Sequence, residues 1–155
     1  MELRKVTPAD RELLWNLNQK YLYEMTNYYG DELDALGNLH YGWFDAYFSD
    51  PRREAYLLYD GVTLVGFAMI HPYSHRGDRA DHVLAEFTVF PMYRGRHLAL
   101  AAAEEIFRRF KGRWEVKYNE KNTPAKRLWT KATEKYRPER IALNEKETLL
   151  CFRSE

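Results

Sequence analysis

Residues 83–103, VLAEFTVFPMYRGRHLALAAA, contain the pattern that decides the fold. The apolar run 83–90 has the length of a buried strand and ends at Pro91, and from Leu98 onward the apolar residues recur with helical spacing. Only a short turn rich in arginine and glycine separates the two elements. The first N–H groups of a helix lack intrahelical acceptors, and the helix dipole adds partial positive charge there. The turn is therefore predicted to bind a phosphate group, with Arg94 and Arg96 adding positive charge.

The flanking residues predict an α/β domain over residues 1–155. Thr7-Pro8 supplies an N-cap and an N1 proline for a first helix, and Asp60-Gly61 predicts a two-residue hairpin turn. Between these signals, glycines and Pro51 divide the chain into short helical pieces. The predicted elements are strands at 2–6, 55–59, 62–70, 83–90, 114–118, 140–143 and 148–152, and helices at 7–23, 98–110 and 122–136. This order predicts a mixed sheet with helices packed on it.

The composition excludes several classes of protein. Apolar residues make up 45% of the chain and charged residues 30%, which is typical of a globular domain. The net charge of +1 argues against nucleic acid or an anionic membrane as a partner. A single cysteine, Cys151, excludes an intrachain disulfide and a cysteine metal cluster, and we expect it to be buried. Residues 1–5 lack the apolar region of a secretory signal, so a cytoplasmic location is expected.

Two segments resemble motifs of the GNAT superfamily of N-acetyltransferases. Residues 86–99 resemble its acyl-CoA-binding motif, a strand followed by Arg/Gln-x-x-Gly-x-Gly/Ala, except that His97 stands where the family usually has its central glycine. Residues 122–129, Asn-x-x-Ala-x-x-Leu-Trp, resemble the start of a later helix, with Trp129 in the place of a tyrosine. The resemblance implies a single GNAT-like domain with a mostly antiparallel twisted sheet of about six to seven strands, flanked by about four helices.

The resemblance also implies an activity and a co-substrate. GNAT enzymes move an acetyl group from acetyl-CoA directly to a primary amine of a small molecule or peptide, and no metal is implied. The turn amides would hold the diphosphate, and the preceding strand would hold the pantetheine arm. Asn122 is equally well explained as a helix N-cap. The residues implied to bind acetyl-CoA are Thr88, Val89, Phe90, Arg94, Gly95, Arg96, His97, Leu98, Ala99, Asn122, Ala125 and Trp129.

Glu86 is the candidate general base. An alkylammonium group has a pKa of about 10.4, so a base must remove a proton before the nitrogen can attack. Glu86 interrupts an apolar strand, where burial would raise its pKa toward a useful range, and glutamate at this position resembles the base of several GNAT relatives. The alternative is a buried ion pair with Arg94 or Arg127. No general acid is indicated, because the indole of Trp129 cannot supply a proton at neutral pH; the tyrosines Tyr93, Tyr118 and Tyr136 are options.

The acceptor side is expected within residues 21–50. This segment is rich in aromatic residues, and the first 50 residues hold nine Asp/Glu against four Lys/Arg. Core packing explains the aromatic residues equally well, but as an acidic, aromatic acceptor side, with Asp31, Glu32 and Asp34, the segment favours a cationic acceptor. The candidates for acceptor binding are Tyr28, Tyr29, Asp31 and Trp43. A homodimer is left open, as are two other functions: a non-catalytic domain that binds or senses acyl-CoA, and a scaffold.

Overall fold

The computed structural model describes residues 1–155 and contains seven strands and four α-helices. The strands are β1 (Glu2–Lys5), β2 (Glu54–Asp60), β3 (Thr63–His71), β4 (His82–Val89), β5 (Gly112–Asn119), β6 (Glu139–Ala142) and β7 (Glu147–Ser154). The helices are α1 (Arg11–Met25), α2 (Ala46–Ser49), α3 (Leu98–Arg109) and α4 (Thr123–Thr133). All strands form one sheet in the order β1-β2-β3-β4-β5-β7-β6, in which only β4 and β5 are parallel. The predicted mixed, mostly antiparallel sheet is confirmed.

Both faces of the sheet are covered by helices. On one face, α3 and α4 contribute Ala103, Phe107 and Trp129 to a core with alternate residues of β2 and β3. On the other face, α1 contributes Leu14 and Leu17 to a second core. Because neighbouring residues of a strand point to opposite faces, the central strands are apolar on both sides, as a continuous apolar pattern predicts. None of the helices is long and apolar enough to cross a membrane.

The structure corrects two local predictions. Asp60 pairs with Thr63, so the hairpin turn consists of Gly61 and Val62 rather than Asp60 and Gly61. Between α1 and β2, only Ala46–Ser49 forms an α-helix, because local polar groups favour turns. For example, the Asp34 carboxylate accepts hydrogen bonds from the backbone of residues 36 and 38, at 2.8 and 2.9 Å.

The parallel pairing of β4 with β5 is short. It joins only three residue pairs, His82–Leu84 with Trp114–Val116, whereas β5 pairs with β7 along its whole length. From Ala85 onward, β4 stays bonded to β3 but has no strand on its other side. The two strands therefore diverge and leave a cleft within the sheet.

Gly66 of β3 pairs with Val89 of β4 and lies close to the β4 backbone. A Cβ atom at Gly66 would lie 2.1 Å from the carbonyl oxygen of Thr88, which is a severe clash with backbone. We expect Gly66→Ala to lower the free energy of unfolding by about 3 kcal/mol, as overpacking of a rigid site does. Urea denaturation measures this change. Gly30→Ala is the matched control, since no atom lies within 4 Å of that position; equal stability of the two variants would contradict the prediction.

Candidate active site

The divergence of β4 and β5 opens a cavity of about 550 Å³, here called the central cavity. Its walls come from both strands, from α1 and from the start of α4. The structure brings most of the predicted site residues together here: Tyr28, Tyr29, Asp31, Glu86, Thr88, Val89, Arg94, Ala99, Asn122, Ala125 and Trp129. Gly95, His97 and Leu98 line an adjoining groove of about 380 Å³ between α3 and α4. Phe90 and Arg96 line neither space, and Trp43 lies elsewhere.

The turn between β4 and α3 presents free amides to the groove. The backbone N–H of Arg94 donates to the carbonyl of Pro91, but the six that follow, from Gly95 to Leu100, donate to no group in the protein. Arg127 and Lys131 of α4 line the opposite side of the groove. Free amides at the start of a helix, with two cations opposite, form a site that favours an anion. These residues fit the diphosphate of acetyl-CoA.

His97 adopts the backbone conformation that a glycine would favour. Its φ of 60° and ψ of 15° lie in the left-handed region, as does the φ of 81° at Gly95. A side chain in this region costs roughly 1–2 kcal/mol. His97 therefore carries backbone strain that a glycine at this position would not. The His97 side chain is exposed, so it leaves the amides uncovered.

Arg94 lines the groove and the central cavity, but its guanidinium is hydrogen-bonded within the protein. Its two Nη atoms donate to both oxygens of Glu24, at 2.6 and 2.7 Å, and its Nε donates to the carbonyl of Val89 at 2.8 Å. The hydrogen bonds from Arg94 lower the pKa of the Glu24 carboxyl below its usual value. The ion pair with Glu24 holds α1 against the turn. Because Glu24 balances the charge of Arg94, the positive potential in the groove comes from the turn amides and from Arg127 and Lys131 of α4.

Glu86 lies on β4 at the middle of the central cavity, without an ionic partner. Arg94 is paired with Glu24, and no salt bridge involves Glu86, so the ion pair with an arginine that the sequence left open is not formed. Its carboxylate accepts a hydrogen bond from the hydroxyl of Tyr41 at 3.3 Å. Burial raises the pKa of Glu86 to about 7, although the charge of Lys117 and the hydroxyls of Tyr41 and Tyr21 oppose the shift. Glu86 can therefore gain or lose a proton near neutral pH.

This raised pKa makes the stability of the fold depend on pH. The folded state holds a proton on Glu86 up to about pH 7, while the unfolded chain releases it near its ordinary pKa of 4.5. The burial of Glu86 therefore costs stability increasingly as the pH rises from about 4.5 to about 7, and the cost levels off above that pH. We expect Glu86→Gln to raise the free energy of unfolding by about 2–3 kcal/mol over the parent at pH 8. At pH 5 the two proteins should have nearly the same free energy of unfolding. Urea titrations at both pH values measure this, and a difference that does not grow with pH would contradict it.

Asn122 and Trp129 combine structural roles with exposure to the cavity. The Asn122 Oδ1 accepts from the backbone N–H of Ala125 at 3.2 Å, which confirms the N-cap, and its side-chain NH2 has no partner in the protein. Trp129 is buried in the core and packs edge-on against Phe87, with ring centroids 5.0 Å apart. Of the tyrosines considered as acids, only Tyr118 lines the central cavity, and its hydroxyl accepts a hydrogen bond from the Nη1 of Arg140 at 2.7 Å.

The predicted acceptor residues separate into two places. Tyr28, Tyr29 and Asp31 line the central cavity, and the Tyr29 hydroxyl donates to Glu147 at 2.6 Å. Trp43 lines a second cavity of about 690 Å³, here called the outer cavity. Glu86 lines both this cavity and the central cavity, so the two spaces share a wall. Tyr41, in the aromatic-rich segment, and His71, expected near the substrate entrance, also line the outer cavity, whereas Arg53, Tyr73 and Lys117 were not predicted as site residues. For Tyr41, the signal was the density of aromatic residues between 21 and 48.

The protein contains no cluster of three or more His, Cys, Asp or Glu side chains that could hold a metal ion. His71 and His75, whose spacing resembles that of metal ligands, both line the outer cavity instead. Burial lowers the pKa of each histidine below its usual value, so both are neutral at pH 7. Cys151 is buried, as predicted, and burial raises the pKa of its thiol to about 11.

Comparison with known proteins agrees with this geometry. Residues 12–133 match the Acetyltransferase (GNAT) family. An acetyltransferase from Thermus thermophilus has a similar fold, with 21% identity and a TM-score of 0.70 over 98% of this chain and 96% of that one. Spermidine N-acetyltransferase from Vibrio cholerae, in complex with CoA and spermine, is also similar, with 12% identity and a TM-score of 0.69 over 99% of this chain and 95% of that one. Arabidopsis thaliana NAA60, in complex with acetyl-CoA, is also similar (16%, 0.62, 98% and 97%). No curated protein sequence matches the chain. The chain belongs to the GNAT family and is an acetyl-CoA-dependent N-acetyltransferase.

Proposed function

We propose that this enzyme transfers the acetyl group directly to a primary amine of a small molecule or peptide, with Glu86 as the general base. One observation carries the proposal: Glu86, whose pKa is raised to about 7, lines both the central cavity and the outer cavity. A group in that position can accept a proton from an amine that enters through the outer cavity, while acetyl-CoA occupies the central cavity and the groove.

The chain's residues suit each part of acetyl-CoA. The free amides from Gly95 to Leu100 would bind the diphosphate. Residues 85–89 of β4, which lack a strand on one side, would hydrogen-bond the pantetheine arm as if it were an added strand. Phe90 takes no part through its N–H, which donates to the carbonyl of Val65 at 2.8 Å. The free side-chain NH2 of Asn122 is a further donor on the cavity wall.

Proton removal is the step that the protein must perform. Acetyl-CoA supplies the acetyl group as a thioester, but at pH 7 the neutral form of an alkylamine lies roughly 4.6 kcal/mol above the ammonium. Glu86 accepts the proton, and the amine nitrogen gains the lone pair with which it attacks the acetyl carbon. As the C–N bond forms, the C–S bond breaks and CoA leaves as a thiolate, and the proton that the nitrogen releases on becoming an amide balances the thiolate through water. Tyr41 donates a hydrogen bond to the Glu86 carboxylate and holds it in place, while the nearby charge of Lys117 favours its ionised form.

Two measurements test the proposal. Acetyl-CoA at 100 times its Kd should stabilise the protein by about 2.7 kcal/mol, which thermal melting detects. With a suitable amine, free CoA and an N-acetylated product should appear together. Stabilisation without product from any amine would instead identify a non-catalytic acyl-CoA-binding domain, and no stabilisation would overturn the assignment of the site.

A cytoplasmic location stays a prediction, and a homodimer stays open.

A further inference from the structure

The outer cavity contains a cationic side chain that the acetyl-transfer step does not use. Arg53 precedes β2, and only 8% of its side chain is exposed. Its guanidinium lies 4.7 Å from the ring centroids of both Trp43 and Tyr73, which cover it as stacked aromatic residues do. The side chain lines a cavity that reaches inward to Glu86.

The Tyr47 hydroxyl interacts with the Arg53 guanidinium, which opposes the raised pKa of Tyr47, but one hydroxyl cannot satisfy five N–H donors. A carboxylate oxygen of Asp50 lies 3.6 Å from the Nε of Arg53, which gives charge balance without a hydrogen bond. The oxygens of Asp50 also accept hydrogen bonds from the hydroxyl of Tyr73 and from the backbone N–H of Arg52. The Arg53 nitrogens are not among the buried side-chain polar atoms that lack a partner, so its remaining donors face the cavity, where a ligand can supply acceptors.

A second free donor lines the same cavity. The Nδ1 of His71 accepts a hydrogen bond from the backbone N–H of Tyr73 at 3.0 Å. Burial, and then the charge of Arg53, lower the pKa of His71 to about 4, so the ring is neutral at pH 7. Its single proton must therefore reside on Nε2, and this N–H donates to no group in the protein. Arg53 and His71 together offer unpartnered donors on one wall of the cavity.

We infer that the outer cavity binds the acceptor, and that Arg53 and His71 hold a carboxylate carried by that acceptor. The substrate class is then an amine with a carboxylate, such as an amino acid or a short peptide, and the inference rests on the proposed function of Glu86. Aromatic rings cover the faces of the guanidinium, so a ligand meets its planar edge, where a carboxylate can bind through two parallel hydrogen bonds. Asp50 and Glu86 line the same cavity and disfavour a doubly charged phosphate.

This inference replaces the expectation of a cationic acceptor bound by the acidic residues of the first 50. Asp34 uses its carboxylate to close a surface turn, and neither it nor Glu32 lines the outer cavity. Asp31 lies on the central cavity, beside α1. Of the acidic side chains in this segment, only Asp50 lines the outer cavity, and it balances the charge of Arg53 there.

Matched substrates test the inference first. CoA release is measured with amino acids and dipeptides, with their C-terminal amides, with the decarboxylated amines, with spermidine and with phosphoethanolamine. A carboxylate-bearing amine should exceed its own amide in kcat/KM by about 100-fold, the order expected for a buried charge-assisted pair. Equal or better use of the amides, the decarboxylated amines, spermidine or phosphoethanolamine would overturn the carboxylate subsite.

Variants of the two neighbouring arginines test the residue. Arg53→Met keeps length and apolar contact but removes the donors, and should lower kcat/KM for the carboxylate acceptor by about 100-fold, mainly through KM. The loss with the matched amide should be much smaller, so the ratio of carboxylate to amide activity should fall, and the stabilisation by acetyl-CoA in thermal melting should match the parent. Arg52→Met is the control, because Arg52 lies 3.7 Å from Asp50 and over the Tyr73 ring but is 68% exposed and outside the outer cavity.

Further outcomes separate this inference from the proposed function. If Arg53→Met does not fold, Arg53→Lys, which keeps the charge but not the planar edge, should still show a reduced ratio of carboxylate to amide activity; an unchanged ratio would overturn the inference. If no amine is acetylated while acetyl-CoA still raises the melting temperature, the proposed function fails and the acceptor assignment with it. If amines are acetylated without preference for a carboxylate, only the subsite fails.

Discussion

Replacement of Glu86 by glutamine should lower kcat for acetyl transfer by about 100- to 1000-fold, the usual contribution of a general base. Glutamine has nearly the same size and can still meet the Tyr41 hydroxyl, but it cannot accept a proton from the amine. Steady-state release of CoA at pH 8, with the preferred acceptor, measures the loss. Because Glu86 lies apart from the turn amides, acetyl-CoA should raise the melting temperature of the variant and the parent equally.

The pH dependence gives this prediction a second readout. The base acts only when it is deprotonated, so kcat/KM should rise with pH and level off above the pKa of Glu86, which is about 7. Glu86→Gln should lack this inflection. Tyr41→Phe removes a hydrogen bond that favours the ionised carboxylate, so its inflection should move to higher pH. A Glu86→Gln variant that keeps the parent's rate and profile would exclude Glu86 as the base.

Replacement of Ala99 by glutamate should weaken the binding of acetyl-CoA by about 100-fold, because facing like charges at close range costs several kcal/mol. Ala99 lines both the central cavity and the groove, at the start of α3. A carboxylate there would compete with the diphosphate for the free amides and repel it. The stabilisation of the protein by acetyl-CoA in thermal melting measures the effect.

The control for this variant lies two residues further along the helix. Ala101 is exposed and lines neither space, so Ala101→Glu adds the same charge to the same helix without entering the site. An acidic residue near a helix N-terminus is favourable for the fold, so loss of binding in Ala99→Glu would not reflect unfolding. Equal stabilisation of both variants by acetyl-CoA would show that the diphosphate binds elsewhere.

The parts of the site that are continuous in sequence were predictable. The strand, turn and helix of residues 83–103 show their pattern locally, and so does the N-cap at Asn122. The position of Glu86 inside an apolar strand also predicted a desolvated carboxylate, because a strand of that composition must be buried. Family resemblance added the co-substrate, which residue patterns alone do not name.

The partners of the site residues were not predictable, because they come from distant parts of the chain. Arg94 binds Glu24 across 70 residues, and Tyr41 reaches Glu86 across 45. Arg53 carried no local signal either: it is one of several arginines near a strand start, and only the fold places it between Trp43 and Tyr73. Hydrophobic periodicity reports which face of an element is buried, but not which polar groups meet inside.

The three residue pairs between β4 and β5 are the only strand pairing that joins β1–β4 to the sub-sheet of β5, β7 and β6. Beyond Leu84, the backbone N–H and C=O groups of β4 that would normally pair with β5 face the cleft instead. A molecule bound there would supply the missing interstrand bonds and connect the two sub-sheets mechanically. The backbone groups of β4 that bind the ligand are therefore the same groups that would make the sheet rigid. Without its co-substrate, the enzyme should be most able to flex where β4 meets β5.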